Sequence, residues 1–387
     1  MEDIPINPHK LLQQIAGAGI SLVFLISCNA PIAQTAIQPT DLPAATDMPT
    51  LTPILQKTCR PTGDRQVVVA KSDRDRLDLN WWPDGVMGVL NLGTDYVFLS
   101  ANGGKIAKTT GDLANPISGG GTPFLEIKNV KNQYQYAAGG PVYQDDATGT
   151  LLMFYHAEKW PNGTDGHRFY SLLGMAKSTD GGNTWNDLGE IVTPEIIFGE
   201  NLNAVEVMGA PYVTVYDYFY VYFADYPTSG GRNNLTVARA RIQDVVIAAN
   251  ESNSVVPWFK FYNGTWNEPG LGGRSSILEN GNPGTRWFDV SFNEYLEKYI
   301  MVVSAQNPNT NRPNLYLTES TDGLVWGSRK LIADEQGESF YTTIIGSGND
   351  PRVSGQQFYI YYTFSVVGEW DRWNDAILAR RLISCSN

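Results

Sequence analysis

Short aromatic and β-branched runs, the turns between them and a repeated Gly-x-Pro signature predict an all-β fold, a five-bladed β-propeller. After residue 58 no long helical periodicity stands out, and the apolar runs are separated by Gly, Asn, Asp and Pro. The signature is Gly139-Gly-Pro-Val-Tyr143, echoed by Gly209-Ala-Pro-Tyr-Val213. Each copy precedes a turn and then an aromatic run, Leu151-Leu-Met-Phe-Tyr155 and Tyr218-Phe-Tyr-Val-Tyr-Phe223. Val237-Ala-Arg-Ala-Arg-Ile242 and Ile377-Leu-Ala-Arg-Arg-Leu382 are likewise similar, as late strands of two repeats.

Five units can be laid out in order. The first has an inner strand at Val86–Leu92, a Gly-Thr-Asp turn and a second strand at Tyr96–Ser100. The second runs from Gly140–Tyr143 through Leu151–His156 to Tyr170–Ser178, and the third from Gly209–Val213 through Tyr218–Phe223 to Leu235–Ile242. The fourth comprises Trp287–Asn293, Lys298–Ser304 and Asn314–Ser320, and the fifth Tyr341–Gly346, Phe358–Thr363 and Ala376–Ile383. Val67–Ala70 could supply the strand that closes the last blade. One further hairpin would raise the count to six.

Two turns carry a motif. Ser178-Thr-Asp-Gly-Gly-Asn-Thr-Trp185 has the pattern Ser-x-Asp-x-Gly-x-Thr-Trp, and Ser320-Thr-Asp-Gly-Leu-Val-Trp326 is a copy one residue shorter. The pattern resembles the Asp-box of sialidase-type propellers. Its physics is local: a short carboxylate bonds the N–H groups of its own turn, glycine takes a positive φ, and the tryptophan packs back under the hairpin. Asp180, Trp185, Asp322 and Trp326 are therefore read as structural. With the five units, these turns resemble the five-bladed propeller glycosidases of the arabinanase and xylosidase type, and the sialidase-like enzymes. The resemblance covers roughly residues 65–383 as architecture. The sialidase Arg-Ile-Pro element is absent and no arginine triad can be assigned, which disfavours sialic acid.

The N-terminal region reads as an export signal. Leu11 to Ile26 is almost wholly apolar yet short for a bilayer span, and Leu25-Ile-Ser-Cys28 resembles the bacterial lipobox, with Cys28 as the lipidated residue. Residues 29–57 are rich in Thr, Pro and Ala and suit a tether; residues 58–387 form the propeller domain. With Cys28 lipidated, Cys59 and Cys385 remain at the two ends of the domain. A disulfide there would clasp a closed ring; the alternative is two free thiols.

A net charge of −12 argues against nucleic acid or an anionic membrane surface as partner, leaving the lipid as the only membrane contact of an expected monomer. Aromatics make up 12% of the chain, with ten Trp and twenty Tyr, which suits both sugar-binding surfaces and a propeller core.

The glycosidase resemblance implies two carboxyl groups from inner strands of different blades, facing each other in a funnel on the axis. Three candidates follow. Glu206, in Asn203-Ala-Val-Glu-Val-Met-Gly-Ala-Pro211, stands just ahead of blade three's inner strand, where arabinanase-type enzymes carry their acid; the alternative is a solvated rim residue. Asp289, in Arg286-Trp-Phe-Asp-Val-Ser-Phe292, is flanked by aromatics, and Arg286 is its alternative, structural partner. Asp84, in Trp81-Trp-Pro-Asp-Gly-Val86, could be a base at the funnel mouth or a plain turn residue. His156 and Glu158 project from one side of a strand and could bind sugar hydroxyls, although a lone strand histidine is commonly a satisfied structural residue. Trp81, Trp82, Trp160, Trp287, Tyr341, Trp370 and Trp373 are candidate sugar platforms, with packing expected to claim about half of the tryptophans. No cofactor is expected. Propellers of this type sometimes hold Ca²⁺ on the axis, but no residue cluster here specifies a metal.

Overall fold

The computed structural model describes residues 57–130, 134–160, 169–199, 206–226, 234–278, 285 and 287–387, without the side chains of Glu206, Met208, Tyr226, Glu369 and Trp370. Cys28, the signal segment, residues 29–56 of the tether and Arg286 lie outside the described residues.

The described chain forms five sheets, antiparallel except for two short parallel edge pairings, Ile127–Lys128 with Trp185–Val192 and Val353–Ser354 with Phe288–Asn293. Blade one consists of Gly88–Asn91, Tyr96–Asn102, Lys105–Gly111 and the short outer Phe124–Leu125. In blade two the inner edge is broken into Tyr136–Ala138 and Val142–Gln144, both paired to Leu151–Lys159. Tyr170–Ser178 and Trp185–Val192 follow outward. Blade three runs through Glu206–Val215, Tyr218–Tyr226, Asn234–Arg241, Phe259–Tyr262 and Thr265–Pro269. Blade four runs through Phe288–Asn293, Lys298–Asn307, Arg312–Ser320 and Lys330–Leu331.

Blade five is made from both ends of the domain. Glu338–Gly346, Gln357–Ser365 and Ile377–Ser386 are completed by Thr58–Val69, which pairs antiparallel with Ile377–Ser386 and places Cys59 opposite Cys385. Those two cysteines form a disulfide across 326 positions of sequence. In the chain-entropy account a cross-link closing so long a loop contributes on the order of 5 kcal/mol. The closing strand is thus longer than Val67–Ala70 alone.

Five hydrophobic clusters hold the ring together, and each straddles two neighbouring blades. Leu99 and Leu151 meet between blades one and two, Phe154 and Phe219 between two and three, and Tyr222 and Met301 between three and four. Ile300 and Phe358 meet between four and five, and Tyr361 and Phe98 between five and one. Blades stacked on both faces bury both faces of a strand, so Leu151–Tyr155 is continuously buried instead of alternating. That is why the central strands read as unbroken aromatic and aliphatic runs.

The two motif turns secure this packing. Asp180 Oδ1 accepts the N–H groups of Asn183 (3.0 Å) and Thr184 (2.9 Å) and the Ser178 hydroxyl (2.8 Å), while Trp185 lies wholly buried between blades one and two. Desolvation opposes the charge, but the bonds from Thr184, Ser178 and Asn183 together hold the Asp180 carboxyl well below the usual carboxylate range. Asp322 Oδ1 likewise accepts from Leu324 and Val325, each at 2.8 Å, and Trp326 is buried between blades three and four.

Candidate active site

The first strands of the five blades surround a funnel of about 130 Å³, and every blade lines it. Blade one sends Asp84, blade two Tyr136, His156 and Glu158, blade three Gly209, blade four Trp287, and blade five Tyr341. The cavity exists because three inner strands depart from regular pairing at this level. Blade two breaks at Gly139–Pro141. Blade three bulges after Gly209, where Gly209 and Ala210 take φ of +109° and +142°. Blade five bulges after Phe340, where Tyr341 takes +52°.

Asp84 reaches the funnel from the loop that enters blade one. Its N–H donates to Ala101 O (2.9 Å), and Gly85, at φ +137°, turns the chain into the inner strand. The Tyr136 hydroxyl donates to Asp84 Oδ2 at 2.9 Å, and the Tyr341 hydroxyl, from blade five, bonds the same carboxyl. Burial pushes the Asp84 carboxyl up to about 6. The bonds from Tyr341 and Tyr136 and the charge of His156 oppose that rise, and the neighbouring Glu158 adds to it. The Tyr136 phenol is itself driven well above its ordinary value by burial and then by the Asp84 charge, so it stays protonated as a donor.

Glu158 is the second carboxylate of the funnel. It faces the same way as His156, two residues earlier on one strand, whose Nε2 lies 3.3 Å from Glu158 Oε1. Trp160 Nε1 donates to Glu158 Oε2 at 2.7 Å. Burial works against the Glu158 charge, but bonds from His156 and Trp160 hold its carboxyl below the usual range. The two carboxyls are thereby pushed apart, one towards neutrality and one towards charge.

An aromatic wall completes the site. Trp287 packs against Tyr341 at 5.0 Å between ring centroids, and Tyr341 stacks on Trp373 at 5.9 Å and 19°. Arg372 covers the outer face of Trp287 at 5.2 Å and pairs with Glu338 at 3.4 Å.

The other candidate residues lie elsewhere or serve otherwise. Asp289 is fully buried and does not line the funnel. Arg352 grips it with a two-pronged contact, Nη1 to Oδ2 and Nη2 to Oδ1, each 2.9 Å; Ile344 N and Val290 N supply two further bonds of 2.8 Å. Each oxygen accepts twice, so this carboxylate is committed to an ion pair, and its partner is Arg352, from blade five. Trp82 is wholly buried in the cluster between blades five and one, which corrects its reading as a sugar platform. Trp81 is half exposed, outside the funnel lining. Trp373 supports Tyr341 from behind. Glu206 opens blade three's inner strand, opposite Tyr226 and three residues before Gly209. Among the described residues no group of three or more His, Cys, Asp or Glu is placed to hold a metal ion.

Tyr136 is the site residue that sequence reasoning missed. The sequence places blade two's inner strand from Gly140 onward, whereas pairing begins at Tyr136, opposite Glu158. The aromatic pair Tyr134 and Tyr136 just ahead of the Gly-Gly-Pro signature was the available signal.

No family model matches the chain, and no curated protein matches it. Among solved structures, its fold is similar to the catalytic domain of a GH62 α-L-arabinofuranosidase from Coprinopsis cinerea, with a TM-score of 0.50 and 11% identity over 84% of this chain and 96% of that one. An α-L-arabinofuranosidase from Lactobacillus brevis aligns at a TM-score of 0.47 and 11% identity, over 77% and 90% of the two chains. Zg3597 of Zobellia galactanivorans, a family 117 glycoside hydrolase, aligns at 0.47 and 10%, over 85% and 90%. These structural neighbours are glycoside hydrolases, and at such identities the likeness is one of fold.

Proposed function

We propose that this chain is a glycoside hydrolase acting on poly- or oligosaccharide, with Asp84 as base and Glu206 as acid. The observation that carries the reading is Asp84 itself: a carboxyl on the axis, tuned to about 6, held by two phenols, beside a second carboxylate and an aromatic wall. Above pH 6 it is ionised and can take a proton from water or bond the anomeric carbon. A base with a pKa near the working pH keeps both the required charge and a useful driving force. The leaving oxygen needs a proton donor from another blade, and Glu206 is the carboxyl at the head of blade three's inner strand. Glu158 and His156 bind sugar hydroxyls, and the Trp287–Tyr341 wall offers a face to the ring.

A panel of polysaccharides and aryl glycosides tests this. The wild-type chain should hydrolyse at least one member, and Asp84→Asn and Glu206→Gln should each lose about 10²–10⁴-fold in kcat while remaining folded. Glycan binding without turnover by the wild type would make the chain a binding propeller instead.

The reading extends to placement. Cys28 carries the lipid, residues 29–57 form the tether, and the monomeric propeller works outside the cytoplasm. Incorporation of a labelled fatty acid, abolished by Cys28→Ser, is the corresponding measurement.

A further inference from the structure

We infer that Tyr341 is a positioning residue for Asp84, held on that carboxyl by a locally strained backbone. The inference rests on the reading of Asp84 as base. Tyr341 adopts φ +52°, a region that bulky L-residues avoid, at the bulge of an inner strand whose pairing is regular up to Phe340 and again from Thr343. Strain of this kind persists only where the surroundings over-determine it, and here they do. The ring is stacked on Trp373 on one side and packed against Trp287 and Phe340 on the others, at centroid distances of 5.9, 5.0 and 5.2 Å. Trp373 is covered in turn by the buried Arg74, whose Nη1 is bonded to Ala376 O. The Tyr341 hydroxyl, held by that stack, bonds Asp84, and both residues line the funnel.

The bulge is what makes this reach available. Regular pairing resumes at Thr343, so the one extra residue after Phe340 swings Tyr341 out of the ladder and into the funnel. Tyr136 approaches the same carboxyl from blade two, so the two phenols fix Asp84 between strands that flank blade one. The groups facing Asp84 are these two phenols, Glu158 and His156. Neutral donors can orient a carboxylate without neutralising it, which a base requires and an ion pair would prevent.

The test reads Asp84 directly. In the full-length protein with ¹³C-labelled aspartate carboxyls, Asp84 is assigned by its loss in Asp84→Asn and titrated in wild type and Tyr341→Phe. Removing a donor to the charged form raises the pKa, so Tyr341→Phe should titrate above the wild-type value of about 6. On any substrate found to turn over, kcat should fall about 10-fold or more with KM within about threefold, and the acid limb of kcat/KM should move up with the NMR value. Site-specific 3-fluorotyrosine at position 341, a stronger donor that keeps the ring, should move the titration down, and it serves equally if Tyr341→Phe does not fold. An Asp84 titration unchanged in both variants overturns the inference. A shifted titration in a chain without hydrolytic activity sustains the positioning role and rejects the enzymatic reading alone.

Discussion

Asp84 and Asp289 are both aspartates at the entrance to an inner strand, in blades one and four, and the structure treats them in opposite ways. Asp289 has a guanidinium and two backbone N–H groups, so its charge is fully matched, and it does not line the funnel. Asp84 has two phenols and a neighbouring carboxylate, so its charge is oriented but not matched. A buried carboxylate whose oxygens are all taken by a guanidinium and backbone N–H groups has none left for a substrate. One held by neutral donors titrates close to the working pH and opens onto a funnel. The difference that decides their chemistry lies in the partner.

The largest effect should come from breaking the Asp289 pair. Asp289→Ala leaves Arg352 buried without its counter-charge and removes the acceptor for Ile344 N and Val290 N. A loss of about 3–5 kcal/mol in urea unfolding is expected, with kcat per folded molecule little changed. A normal stability with lost turnover would return Asp289 to the chemistry and dissolve the contrast.

Asp84 should show the reverse sign. Its folded carboxyl sits at about 6, above the value near 3.9 of an unfolded aspartate, so the native state binds more protons between those pH values. The ionised form therefore destabilises the fold above pH 6, by about 2 kcal/mol after allowing for its partial exposure, and not at all below about pH 4. Asp84→Asn should be more stable than the wild type at pH 8. The advantage should shrink as pH falls through 6 and vanish near pH 4, as read from unfolding midpoints at the three pH values. A variant less stable at pH 8 would mean that the phenols already compensate the burial.

Why the fold was legible and the site only partly so follows from the same pair. Blade strands are buried on both faces, so each announces itself as a local aromatic run, and the echo of 139–143 at 209–213 marks the repeat without any tertiary knowledge. The partners of a carboxylate are not local. Arg352 lies 63 residues beyond Asp289, and Tyr136 and Tyr341 both lie far beyond Asp84 in sequence, in blades two and five. From the sequence alone Asp289, with aromatic flanks, looks the more exceptional residue, and Pro83-Asp84-Gly85 reads as a turn. Trp82 misleads for a similar reason. It stands beside a loop, yet the closing strand Thr58–Val69 and blade five arrive from both ends of the chain to bury it.

The finest distinction concerns Glu158, which acts on Asp84 through space. Its negative charge raises the Asp84 carboxyl, while the positive charge of His156, weaker in its effect, lowers it. Glu158→Gln keeps an acceptor for Trp160 but removes that charge, and it also makes His156 harder to protonate. The two consequences oppose each other at Asp84. Because the Glu158 contribution is the larger, the net result should be a downward shift of the Asp84 titration by less than about one unit, carried into the acid limb of the pH–rate profile. An upward shift would mean that the pair acts mainly through the imidazolium, with Glu158 serving to keep His156 charged beside the base.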